Sequence, residues 1–127
     1  MRIATPFDPI EVGEVDYFAF DFRQDCGLAT ILSSTWSCQL APYQPATVLD
    51  PAPQSHVISV QNPTTVEMRA IPDGTLQPRT GNFSVALIGG FPISAAGGTY
   101  ILEATAALSD SRVLKLNATV QCKLPGV

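Results

Sequence analysis

Apolar residues recur at every second position through most of the chain, the period of a half-buried strand, and amphipathic helical spacing is missing. Val15 to Phe22 sets Phe18, Phe20 and Phe22 on one face and Tyr17, Ala19 and Asp21 on the other. Thr30 to Cys38 gathers Leu32, Ser34, Trp36 and Cys38 on one face. Short runs follow at Val57–Val60 and Thr64–Ile71, the second placing Val66 and Met68 opposite Glu67 and Arg69. Asn82–Ile88 aligns Phe83, Val85 and Leu87. Thr99–Leu108 aligns Tyr100, Leu102, Ala104, Ala106 and Leu108; the alternation and the flanking threonines make it a strand rather than a helix. Val113–Cys122 sets Leu114, Leu116, Ala118, Val120 and Cys122 against Lys115, Asn117 and Thr119.

Turn chemistry falls between these runs. Asp73-Gly74, Gly81-Asn82, Gly89-Gly90 and Gly97-Gly98 tolerate positive φ, and Ser109-Asp110-Ser111-Arg112 reads as a hairpin tip. About seven short strands with frequent turns predict an all-β, antiparallel, immunoglobulin-like sandwich, a single domain over residues 1–127. Its core should hold Phe18, Phe20, Phe22, Trp36 and Tyr100. Two segments fall outside the strands. Residues 1–12 carry Pro6 and Pro9 and predict an extended arm. Residues 41–56 hold Pro42, Pro45, Pro51 and Pro53 and predict a long proline-rich loop, with a second break from Pro72 to Pro78.

Composition narrows the function. Charged residues are only 14 % of the chain against roughly a quarter in an average domain, and the net charge is −4. That balance argues against nucleic-acid binding, and no apolar run is long enough for a membrane span. Residues 1–25 hold six acids (Asp8, Glu11, Glu14, Asp16, Asp21, Asp25) against Arg2 and Arg23, either a solvated face or one that meets a basic partner. The first residues lack the apolar core of a secretion signal, so synthesis in a cytoplasm is expected. Cys26, Cys38 and Cys122 lack metal spacing; reduced, partly buried thiols are expected, although Cys38 and Cys122 share inward faces where a bond is open.

Catalytic inventory is thin. His56, the lone histidine, lies in the proline-rich loop and reads as a surface residue. No Gly-x-Ser-x-Gly elbow accompanies it, the Asp16 and Asp21 carboxylates face opposite sides of one strand, and no glycine pair is followed by a phosphate-binding lysine. The expectation is a protein without catalytic residues, cofactor, metal or small-molecule substrate.

Three segments carry a resemblance: Val12–Phe22 with Gly13-Glu14 and Asp21-Phe22, Thr35–Ser37 with Thr35-Trp36, and Gly97–Val120 with Gly97-Gly98-Thr99-Tyr100 and the Ser109–Arg112 hairpin. Together they resemble the small immunoglobulin-like fiber–tail adaptor or virion-decoration proteins of tailed bacteriophages. The chain departs from that pattern in the Pro42–Pro53 loop and in Ser111-Arg112, where the family has Gly-Arg. The resemblance implies a non-enzymatic virion protein, made in the host bacterial cytoplasm, that attaches fibers to the tail or portal region. Its partners would be other virion proteins and symmetric copies of itself. A capsid-decoration protein or a carbohydrate-binding, adhesive module are the alternatives. Partner contact is expected from Ile3, Phe7, Asp8, Ile10 and Glu11 in the arm and from Tyr43 and Pro45 in the loop. The arm is expected to be dispensable for folding.

Overall fold

The alternating segments become strands in the computed structural model, which describes residues 2–4, 6–61 and 83–126. They are β1 (Arg2–Ile3), β2 (Ile10–Glu11), β3 (Val15–Asp21), β4 (Ile31–Leu40), β5 (Val57–Val60), β6 (Phe83–Gly89), β7 (Thr99–Leu108) and β8 (Val113–Lys123). A single helical turn, α1 (Arg23–Cys26), follows β3, and 3-10 turns occupy Pro53–His56 and Ile93–Ala95. The expected strand Thr64–Ile71, the break at 72–78 and the turns at Asp73-Gly74 and Gly81-Asn82 lie outside the described residues.

Two four-stranded sheets form, ordered β1-β3-β6-β5 and β2-β8-β7-β4. This puts β1, β3, β6 and β5 at the A, B, E and D positions of an immunoglobulin sandwich and β4, β7 and β8 at C, F and G. The long strands pair antiparallel, as expected. The two short N-terminal strands pair parallel, β1 to β3 and β2 to β8, so each sheet is mixed at one margin.

The core lies between the sheets. Phe18, Phe20 and Phe22 face Trp36, Cys38, Tyr100, Leu102, Ala104 and Ala106 across it, all buried. Trp36 pairs in register with Ala104, a small residue that leaves room for the indole against Phe20, 5.0 Å between ring centroids. The indole N–H cannot be left unpaired in that interior. It donates to Ser84 Oγ at 2.7 Å, and Ser84 donates onward to Ser34 Oγ at 2.8 Å. On β6 the inward residues are thus Ser84, Ala86 and Ile88. Phe83 and Val85, aligned by the sequence pattern, join Ala19 in a smaller cluster on the outer face of their sheet.

Two sequence expectations are corrected. Leu32 does not share the face of Trp36: a bulge between Ile31 and Ser33 turns Ile31 inward and leaves Leu32 66 % exposed. One extra residue in a strand inverts the alternation on its far side. The second correction concerns the arm. Phe7 and Ile10, expected at a partner interface, are buried in the protein's own core, and Ile3 is half-buried against Ala19, Phe83 and Val85. Phe7 wedges edge-on between Phe18 and Phe20, with centroids 5.0 and 5.2 Å away. Pro6 and Pro9 flank it where the chain crosses from the first sheet to the second, between the residues paired in β1 and in β2, so neither proline interrupts a strand pairing. Burying Phe7 and Ile10 is worth about 1.5–3 kcal/mol each, which a free arm would forgo. Of the arm's expected contact residues only Asp8 stays exposed; Glu11 is half-buried.

Candidate functional site

The proline-rich segment leads from β4 to β5 and is tied down along its length by its own polar side chains. Gln44 donates from Nε2 to the Ala41 carbonyl (2.8 Å) and accepts from the Thr99 N–H at Oε1 (2.8 Å). The Leu49 N–H donates to the Ser94 carbonyl at 2.9 Å. Val48 is buried against Gly98, where a Cβ would stand 2.9 Å from Val48 Cγ1, so only glycine lets the loop lie this close. Gln54 accepts from the Cys38 N–H at Oε1 (2.9 Å) and donates from Nε2 to the Trp36 carbonyl (2.9 Å). A side-chain amide thereby does for β4 what a neighbouring strand's backbone would do.

At the centre is a buried cluster. His56 Nε2 lies 2.7 Å from Asp50 Oδ2, the side chains being 6 % and 3 % exposed. The Tyr100 hydroxyl donates to the same oxygen at 2.6 Å, and the Ala52 N–H donates to Oδ1 at 3.1 Å. The His56 ring stacks on Phe91, 4.2 Å between centroids. His56 is therefore a core residue rather than the surface residue expected. A buried carboxylate needs partners, and the loop folds so as to bring it three.

The electrostatics follow from this packing. Burial acts to raise the Asp50 carboxyl, but the hydrogen bonds from Tyr100, His56 and Ala52 outweigh it and hold the group below its usual range. Burial, reinforced by the bond to Asp50, pushes the Tyr100 phenol far up. Burial and then the Asp50 charge push Cys38 up to about 12 and raise Cys122 as well. Cys26 is also raised, by burial foremost. All three thiols are unpaired and buried, so at neutral pH they are small apolar groups rather than nucleophiles. The cluster's polar atoms hold the loop to β7.

Several of the residues that the anchored loop shows outward are apolar. Tyr43 is fully exposed at φ 63°, a left-handed conformation that costs a non-glycine residue energy unless its surroundings fix it. Pro45 is exposed beside it. Leu49 is 65 % exposed and Ile93 73 % exposed, and the bond from Leu49 to Ser94 brings their two segments together. The expected contact residues Tyr43 and Pro45 thus lie on the same anchored loop as Leu49. Ile93 joins Leu49 from a distant part of the chain, and sequence reasoning missed both because neither belongs to an alternating run.

Among the described residues, three of the six acids in the first fifth of the chain are ion-paired within the molecule. Arg2 bonds Asp16 and Glu14, the latter at 3.0 Å, and Arg23 bonds Asp21 at 2.7 Å. Glu14 is held below its usual range by the Glu11 N–H first and by Arg2, against the effect of burial. Comparison with protein-family models, with curated proteins and with solved structures finds no match.

Proposed function

We propose that this protein is a non-enzymatic structural component of a tailed-phage virion, an immunoglobulin-like adaptor that attaches fibers to the tail or portal region. The loop end bearing Tyr43, Leu49 and Ile93 is its attachment surface. The observation that carries this reading is the anchored proline-rich loop. Gln44, Asp50 and Gln54 hold it in one conformation while its apolar residues point to solvent. A preset loop loses little conformational freedom on docking, so apolar contact is not offset by ordering cost. The low proportion of charged residues suits surfaces desolvated in an assembly.

The test is incorporation. Purified particles of the phage encoding the chain should contain it at a fixed copy number matching the symmetry of a ring. A variant carrying Tyr43→Ser and Leu49→Ser should keep the wild-type melting temperature and fail to enter particles. Absence of the wild-type protein from particles, or normal incorporation of the variant, would overturn the reading.

A further inference from the structure

The N-terminal arm closes only half of its margin of the sandwich. It leaves the first sheet after Ala4, whose N–H bonds the Ala19 carbonyl, and joins the second sheet where Ile10 pairs with Cys122. Between these points the Phe7 N–H donates to the Thr119 carbonyl at 3.1 Å. Below Thr119 the outer edge of β8 has no neighbouring strand among the described residues.

The direction of its backbone groups is set by parity. In an antiparallel ladder, alternate residues bond to opposite neighbours. Thr119 and Lys123 offer their carbonyls to Phe7 and Val12, away from β7, whereas Cys122 bonds Gly97 and Gly98. Val113, Lys115 and Asn117 share the parity of Thr119, so their N–H and C=O groups also point away from β7. Among the described residues none bonds to them. Beside this edge a cleft of about 710 Å³ opens, its apolar lining formed by Ile3, Ala4, Phe20, Leu116 and Ala118 and its polar lining by Asp21, Arg23, Gln24, Asp25 and Asn117.

We infer that this margin is a strand-addition site, occupied by an extended segment of a partner protein that pairs with β8 over residues 113–118. Three features select the occupant. Its inward residues must be apolar and small enough to enter the cleft against Phe20, Leu116 and Ala118. Its outward residues lie beside exposed Lys115, so a carboxylate there is favoured. A second copy of β8 is disfavoured, because antiparallel pairing centred on the open edge sets Lys115 directly against its own counterpart. The inference is independent of the virion assignment, since it rests on the edge and cleft alone.

The experiment uses the full chain and an acetylated, amidated hexapeptide alternating valine with glutamate, followed by backbone amide NMR. The expected result is a set of shifts confined to residues 113–118 and the cleft walls. The lysine-for-glutamate peptide should bind about fivefold more weakly. The glutamate peptide methylated on alternate amides should not bind at all, a control that leaves the protein untouched. Lys115→Pro should abolish binding with the rest of the spectrum unchanged, because an edge strand tolerates proline where its N–H faces solvent. Shifts elsewhere, undiminished binding of the methylated peptide, or no binding at millimolar peptide would overturn the site. A concentration-dependent dimer lost in Lys115→Pro would overturn the choice of occupant.

Discussion

Along one margin of the sandwich the chain crosses between sheets as the proline-rich loop, from β4 to β5; along the other it crosses as the N-terminal arm, from β1 to β2. Both crossings cover the rims of the same core, by opposite means. The loop is fixed by polar side chains: Gln54 occupies the edge of β4, and Asp50 gathers His56 and Tyr100 out of water. The arm is fixed mainly by apolar insertion, with Phe7 and Ile10 in the core and few backbone bonds beside them. The polar crossing closes its strand edge at Trp36 and Cys38. The apolar one leaves β8 open below Thr119. Burying a ring between two sheets needs no ladder, so it covers a core without capping an edge.

The sharpest way to break this comparison is to remove the arm. Deleting residues 1–12 takes Phe7 and Ile10 from the core, and a loss of about 5 kcal/mol or more is expected by urea titration, since single large-to-small core changes cost about 2–5. A deletion that left stability unchanged would show the arm to be peripheral. Next comes Asp50→Ala, which strands His56 and the Tyr100 hydroxyl in the interior; a loss of about 3 kcal/mol is expected at pH 7.

The same carboxylate sets a pH dependence. Its folded pKa lies below the ordinary value of 3.8, so its contribution is complete above that value and disappears as pH falls through the lower folded one. Wild type and Asp50→Asn should therefore converge in stability only below about pH 4, as followed by denaturant titration across pH. Convergence that set in well above that pH would show that the Asp50 carboxyl is not held below its ordinary value.

Gln54→Ala should cost about 1–2 kcal/mol, from two hydrogen bonds lost at a half-covered edge. It also frees the Trp36 carbonyl and Cys38 N–H, so sedimentation should show more self-association than in wild type. The smallest effect is expected from Leu32→Ser. Beyond the bulge this side chain is in solvent, and a change within about 0.5 kcal/mol is expected. A loss above 2 kcal/mol would place Leu32 in the core and remove the bulge.

The strands were legible because their signal is local. Ten consecutive residues of β7 alternate without a break, and every inward one is buried. Phe18, Phe20, Phe22 and Trp36 could be assigned to a core from period and size alone, and the all-β sandwich followed from strand number and turn spacing. The bulge at Ile31–Ser33 was not legible, since an inserted residue looks like any other until its partner strand is known.

Composition and period thus determined by themselves that this chain is an all-β sandwich with a proline-rich loop and a proline-bearing N-terminal segment. Where those two segments go was decided only in three dimensions. Phe7 between two prolines reads equally as a free hook or a buried wedge, and what settles it is the gap between two sheet edges that no local window contains. His56 and Asp50 sit six positions apart in a loop with no period. Only the arrival of Tyr100 from a strand fifty residues further on makes them a buried cluster. Hydrophobic alternation is written within each strand, whereas the partners of a buried charge and the openness of an edge depend on which distant strands become neighbours.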